Sequence, residues 1–137
     1  LPLIVGFTKA IELAIQNQEK NYKKLISLRN KLLEGLLENN SGIDINGSMS
    51  HRLPHNLNLT IADVSGSQLH KKLKPNIVCS SGSACSNGSP SHVLMALGRT
   101  FKEAEASLRL SIGIYSTYNE IEEAIHIISK TIHELRN

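Results

Sequence analysis

Apolar residues recur at helical spacing over the first third of the chain. Ile4, Phe7, Ile11, Ala14, Ile15, Tyr22, Leu25, Ile26, Leu32, Leu33, Leu36 and Leu37 follow one another three or four positions apart. Pro2 suits a first helical turn, and Asn39-Asn40-Ser41-Gly42 supplies a stop. The pattern predicts a helix over 1–40, roughly 60 Å long at ~1.5 Å per residue. That is long for a small domain, and it reads as a brace that spans or joins two domains. The chain enters this helix almost at once, as expected of a piece of a longer polypeptide.

The pattern then shortens. Ile43 to Ile45 is a short strand candidate, and Asn46 to Pro54 reads as a loop. From Asn56 to Ile61 apolar and polar residues alternate: Leu57, Leu59 and Ile61 face one way, Asn56, Asn58 and Thr60 the other. Ser65-Gly66-Ser67-Gln68 has the form of a capping box for a short helix through Leu73, which Pro75 ends. Ile77 to Ser80 favours a strand. Ser81 to Ser89 is a Gly/Ser-rich loop, and His92 to Leu97 is a helix with Pro90 near its first turn, closed by Gly98. Thr100 to Glu103 is a second capping box. Ser107 to Ile114 alternates again, with Leu108, Leu110, Ile112 and Ile114 opposed to Ser107, Arg109 and Ser111. Thr117-Tyr118-Asn119-Glu120 caps a last helix whose apolar face is Ile121, Ile125, Ile128, Ile132 and Leu135. The expected class is α+β, a small antiparallel or mixed sheet with helices on one face.

Composition narrows the function classes. The chain has 137 residues, 40% hydrophobic and 20% charged, ordinary values for a globular domain that needs no metal or disulfide staple. Aromatic residues make up only 4%, so Leu, Ile, Val and Ala must build the core. The net charge of +3 is spread out, apart from Lys71, Lys72 and Lys74, so no basic patch for nucleic acid is visible. No apolar stretch is long enough for a membrane span, and Leu1 to Ala10 lacks the form of a signal peptide. Two cysteines, Cys79 and Cys85, are too few for a secreted disulfide framework, so a reducing, cytoplasmic setting is expected.

The candidate chemistry lies in Cys79-Ser80-Ser81-Gly82-Ser83-Ala84-Cys85-Ser86-Asn87-Gly88-Ser89. No charged residue occurs between Lys74 and Arg99, so this loop is small and neutral. Nothing bulky adjoins Cys85 in sequence, and its glycines Gly82 and Gly88 permit unusual backbone states. A reactive thiol needs access and a lowered pKa. No Lys or Arg is near in sequence, so activation must come from elsewhere in the fold, a cofactor or a partner. The alternative is a small loop residue with no role. Cys79 reads as a small buried hydrophobe, with a disulfide to Cys85 as the other reading. Cys79, Cys85 and His92 match no familiar zinc spacing. Arg109 stands on the polar face of an otherwise apolar strand. It either reaches solvent or offers its planar fork to a carboxylate.

These segments carry a resemblance. SSGSACSNG (Ser80 to Gly88) resembles the persulfide-forming loop of cysteine desulfurases of the NifS-like type, in the class-V aminotransferase group of fold-type I pyridoxal-phosphate enzymes. PSHVLMALG (Pro90 to Gly98) and EAEASLRLSIG (Glu103 to Gly113) follow in the same order and spacing. PLIVGFTKAIELA (Pro2 to Ala14) resembles the start of the helix linking the family's two domains, and RLPHNLNLT (Arg52 to Thr60) its first small-domain strand. The resemblance spans essentially the whole chain.

It implies a pyridoxal-phosphate enzyme that converts L-cysteine to L-alanine. Cys85 would attack the substrate sulfur as a thiolate and keep it as a persulfide. Ser81, Gly82, Ser83, Ala84, Ser86 and Gly88 would form the carrying loop, and Arg109 would pair with the substrate carboxylate. It implies an interdomain helix over 1–40, a small C-terminal domain over 41–137 with its persulfide loop at 80–89, and a homodimer in the full-length enzyme. It also implies a sulfur acceptor or iron–sulfur scaffold protein as partner, with no metal, nucleic acid or membrane involved. The family's cofactor-binding large domain and its lysine have no counterpart here, so the isolated chain is expected to be inactive. The loop is about two residues shorter after Cys85 than in many relatives, and Ile114 stands where relatives often have Arg. Two other readings are a free-standing thiol sulfur carrier or redox module, and a structural or interaction domain.

Overall fold

The structure, a computed structural model, describes residues 1–80 and 90–137. Its elements are α1 (Pro2–Asn39), β1 (Ile43–Ile45), β2 (Asn56–Ile61), α2 (Gly66–Leu73), α3 (His92–Ala96), α4 (Phe101–Glu105), β3 (Ser107–Ser111) and α5 (Tyr118–Arg136). Among the described residues the strands form one antiparallel sheet in the order β1-β2-β3. This is the expected α+β class.

Strand alternation builds the core. Leu57 pairs with Leu110 and Leu59 with Leu108, so their side chains share one face of the sheet. That face is covered by the C-terminal half of α1, by α2 and by α5. Leu28, Leu36, Leu57, Leu59, Leu69, Leu73, Leu108, Ile128 and Ile132 are fully buried there. Each such side chain contributes about 1.5–3 kcal/mol of hydrophobic stabilisation. The aliphatic core that composition demands is thus one continuous cluster.

Helix α1 behaves differently along its length. Its buried residues begin at Leu25 and continue with Leu28, Arg29, Leu32 and Leu36. No residue from Leu1 to Lys24 is buried, although Ile4, Phe7 and Ile15 lie in this stretch. About 35 Å of helix, at ~1.5 Å per residue, therefore projects with its apolar stripe uncovered.

The local sequence signals are only partly realised in the structure. Both capping boxes at Thr100/Glu103 and Thr117/Glu120 are formed, and Asn40 is the C-cap of α1. The expected box at Ser65 is not formed: its Oγ meets the Ser67 Oγ at 3.0 Å and caps nothing. Ile77 to Ser80 is no strand beyond a single bridge between Ser80 and Arg109, because residues 74–77 are still turning out of α2. The last strand ends at Ser111 rather than Ile114. Beyond Ile112, whose N–H donates to the His55 carbonyl at 2.9 Å, the chain turns at Gly113–Ser116. Ile114 is accordingly exposed. Pro90 precedes the N-cap, Ser91, rather than entering the first turn of α3.

The start of α2 is set by a close approach. A Cβ on Gly66 would lie 1.9 Å from the Glu105 carbonyl oxygen and 2.5 Å from its carbon, both backbone atoms. Gly66→Ala should therefore cost about 3 kcal/mol or more. Gly6, in the projecting part of α1, has nothing within 4 Å of an added Cβ. Gly6→Ala should raise helicity and change stability favourably by no more than about 1 kcal/mol. Urea unfolding followed by circular dichroism measures both, and equal effects at the two glycines would refute the packing argument.

Candidate functional site

The site is built on β3. Leu108 and Leu110 face the core, so Arg109 emerges on the opposite side, exposed and directly across from Asn58 of β2. Its guanidinium makes no hydrogen bond or ion pair among the described residues. Its backbone is fully engaged. Arg109 N–H donates to the Ser80 carbonyl at 2.9 Å, and Ser80 N–H donates to the Arg109 carbonyl at 3.2 Å. The root of segment 81–89 is thus tied to the residue carrying the free guanidinium.

The face around Arg109 is a hydrogen-bonded platform. Asn46 Nδ2 donates to Asn58 Oδ1 at 2.8 Å, and Thr60 Oγ1 donates to Asn46 Oδ1 at 3.0 Å. The Thr60 and Ser107 hydroxyls meet at 2.8 Å, and Ser107 Oγ donates to the Glu103 carbonyl at 2.8 Å. Arg99 closes the network from the edge. Its Nε donates to Asn46 Oδ1 at 2.6 Å and its Nη1 reaches Asp44 at 3.1 Å. The Thr100 backbone N–H, the Thr100 hydroxyl and the Arg99 charge hold the Glu103 carboxyl below the usual range. Asn46, Thr60 and Ser107 are all buried, and each finds partners, as buried polar groups must. Alternation alone could place Ser107 and Thr60 on the polar face; it carried no signal that they would be sealed there.

Cys79 is half-buried, and burial pushes its thiol pKa up. Its Sγ lies 3.7 Å from His70 Nδ1. The other ring nitrogen, Nε2, is 3.2 Å from the Ser107 carbonyl oxygen. A carbonyl only accepts, so Nε2 carries the hydrogen and Nδ1 is left to accept from the thiol. This cysteine is tethered to His70 and only half-buried, less than the small buried residue the sequence suggests. His70 as its partner had no signal in the sequence.

Cys85, with Ser81, Gly82, Ser83, Ala84, Ser86 and Gly88, lies outside the described residues. So does any Cys79–Cys85 contact. Among the described residues no group of three His, Cys, Asp or Glu side chains is arranged to hold a metal, and no helix is long and apolar enough to cross a membrane.

The described residues do not form a cradle for pyridoxal phosphate. No lysine is buried. Lys102 lines a cavity of about 190 Å³, but Asp44, Asp63 and Glu103 share that lining and would repel a phosphate. The described site is an exposed cation on a strand, beside the root of the segment that carries Cys85.

Known proteins resemble this chain over nearly its whole length. The model of the aminotransferase class-V family matches residues 1–124. Cysteine desulfurase IscS of Vibrio vulnificus (strain CMCP6) is 41% identical over 136 residues, which cover 98% of this chain and 33% of the relative. The mitochondrial cysteine desulfurase of Arabidopsis thaliana is 42% identical over 135 residues, 97% of this chain and 30% of that protein. Among solved structures, a NifS-like protein superposes with a TM-score of 0.81 at 28% identity, covering 96% of this chain and 33% of its own. The NifS-like protein of Rickettsia africae ESF-5 gives 0.77 at 30% identity, with 96% and 34% covered. The chain therefore spans about a third of the length of the relatives it matches. With a family model matched over all but its last turns, the chain belongs to the aminotransferase class-V family.

Proposed function

We propose that residues 1–137 are the C-terminal part of a pyridoxal-phosphate-dependent cysteine desulfurase, in which Cys85 takes sulfur from L-cysteine and carries it as a persulfide. The observation that carries this reading is the bridge between Ser80 and Arg109. It brings the root of the Cys85-bearing segment to the one strand residue whose guanidinium is free to bind a carboxylate. Cys85 follows Ser80 by five positions. Five residues span at most about 18 Å, so the thiol is tethered within reach of a substrate held at Arg109.

In this reading residues 1–40 join a cofactor-binding domain to a small domain of residues 41–137, and segment 80–89 carries the persulfide. Pyridoxal phosphate, bound by the rest of the enzyme, would supply electron withdrawal at the substrate. The residues of this chain do the rest. Arg109 holds the carboxylate of L-cysteine with two parallel N–H donors. The platform of Asn46, Asn58, Thr60 and Ser107 keeps its strand from shifting. The Cys85 thiolate attacks the substrate sulfur; an S–S bond forms, the substrate C–S bond breaks, and the carbon side leaves as L-alanine after gaining a proton. The terminal sulfur then passes to an acceptor such as an iron–sulfur scaffold protein. The enzyme would work as a homodimer, in a reducing cytoplasmic compartment.

Three results test this. Mass spectrometry of the full-length protein after L-cysteine treatment should show one added sulfur on the Cys85 peptide. Cys85→Ser should abolish it while cofactor absorbance persists, and Cys79→Ser should change it little. A comparable loss on Cys79→Ser would favour the disulfide or redox reading instead.

Arg109→Lys keeps a charge but loses the fork. It should lower kcat/KM for L-cysteine by roughly 10- to 100-fold, mostly through KM. Steady-state alanine formation measures it, and an unchanged KM would remove Arg109 from the substrate.

The Cys79 thiol has a folded pKa raised above its ordinary 9.0. It therefore stays protonated at neutral pH, and any contribution of its burial to stability is lost only as pH rises through that raised value. In Cys85→Ser protein, iodoacetamide should label Cys79 slowly at pH 7–8 and appreciably only above pH 9.

A further inference from the structure

The stripe along α1 contains one charge. Ile11, Ile15 and Tyr22 carry its exposed length, and Leu25, Leu32 and Leu36 its buried length. Arg29 falls on the same line, at the same three- and four-residue spacing. It is only 7% exposed. Its Nε and Nη2 both donate to one neutral acceptor, Asn30 Oδ1, at 3.3 and 3.0 Å. Nη1 has no hydrogen bond, and no carboxylate pairs with the group among the described residues.

Its surroundings make this worse. Arg52 lies near enough that the Arg29 charge, after burial, helps hold the Arg52 guanidinium below its ordinary range. Arg52 spends its own donors on neutral acceptors: the Ser48 carbonyl at 3.1 Å, Asn56 Oδ1 at 3.1 Å and the Asn46 carbonyl. The Arg29 and Arg52 charges thus repel, and no carboxylate pairs with either among the described residues. A buried charge is tolerated when it is paired and costly when it is not. A position that asked only for packing would carry Leu, as its buried neighbours Leu25, Leu32 and Leu36 do.

We propose that Arg29 is the receiving half of a salt bridge whose carboxylate is supplied by the part of the polypeptide that covers the exposed stripe of α1. This rests on the reading that residues 1–137 belong to a longer enzyme, since the chain spans about a third of the length of its relatives. A second copy of this helix is a poor donor. Its stripe is apolar, and its nearby acids Glu12 and Glu19 already pair with Lys9 and Lys23. Stripe-to-stripe packing would bring no carboxylate, and could bring a second Arg29. A flanking part of the same polypeptide can cover the apolar length and neutralise the charge at its inner end in one surface. The salt bridge then fixes how far along α1 that part sits.

Zero-length cross-linking of the full-length Arg29→Lys protein with a carbodiimide tests this, because it joins an amine only to a carboxylate in contact with it. The peptide containing position 29 should be found, at monomer mass, joined to an Asp or Glu outside residues 1–137. A join only between two chains, a join within residues 1–137, or no join would overturn the proposal. Thermal unfolding of full-length Arg29→Met provides the second arm. Loss of a paired charge should lower Tm by at least about 4 °C. An unchanged or raised Tm would mean that the charge has no partner to lose. If sulfate raises the wild-type Tm and Arg29→Met abolishes that rise, a free anion occupies the site and the carboxylate assignment is wrong. Persulfide formation at Cys85, read in the same preparations, reports separately on the proposed function.

Discussion

Side chains alternate along a strand, so Leu108 and Leu110 can both be buried only if Arg109 faces the other way. Everything at the candidate site depends on that constraint. The core beneath the sheet leaves no freedom in it: Leu57, Leu59, Leu69 and Leu73 are fully buried against the same side. A slip of one residue in β3 would drive Arg109 into this cluster and expose two leucines, at a cost of several kcal/mol. The guanidinium is thus aimed by hydrophobic burial, with no hydrogen bond spent on holding it. That leaves its donors free.

The opposite face supplies rigidity by different means. It is built from small polar residues, of which Asn46, Thr60 and Ser107 are buried, each satisfied by a neighbour on another element. Asn46 receives Thr60 and Arg99 and donates to Asn58, the residue across from Arg109. Ser107 connects β2 to α4, and its carbonyl receives His70 from α2. Such a network is costly to disturb, because losing one member leaves the others buried without partners. The strand that carries Arg109 is therefore clamped on both sides, by packing below and hydrogen bonds above. The root of the cysteine-bearing segment is fastened to that clamped strand through Ser80.

Most of the fold was legible because its signals are periodic. The helical stripe of α1, the alternation of β2 and two Thr-x-x-Glu capping boxes match the structure closely, while β3 stops at Ser111, three residues short of its alternation. The failures share a cause. Ser65-Gly66-Ser67-Gln68 has the form of a capping box, but the Glu105 backbone packs against Gly66 and the two serine hydroxyls pair with each other. Ile77 to Ser80 has strand-forming residues, but only Ser80 reaches a partner strand. Local preference was present in both places, and tertiary contact decided otherwise. At the site, Arg109 was legible as a charge on an apolar strand. Its free guanidinium, the sealing of Ser107 and the pairing of Cys79 with His70 were not, since each depends on residues distant in sequence. Arg29 is illegible for the same reason: in a long apolar stripe one cation reads as surface until burial is known.

Helix α1 ties these parts together mechanically. Its C-terminal half is pinned by Leu28 and Leu36, which are fully buried, and by Ser27 and Lys24, which bond Tyr118 and the Ile114 carbonyl. A helix is stiff over this length, so its projecting half inherits that rotation. Yet the projecting half buries none of its own residues, so its apolar stripe adds nothing to helix stability through packing within this chain. A surface that docks there is placed at a defined angle to the sheet, because the stripe, the leucine face and β3 form one rigid sequence of contacts. The geometry between that docked surface and Arg109 is then set by helix packing rather than by any loop. A site assembled from two parts of a polypeptide requires that kind of fixed separation, since misplacement by about 1 Å can cost two orders of magnitude in rate.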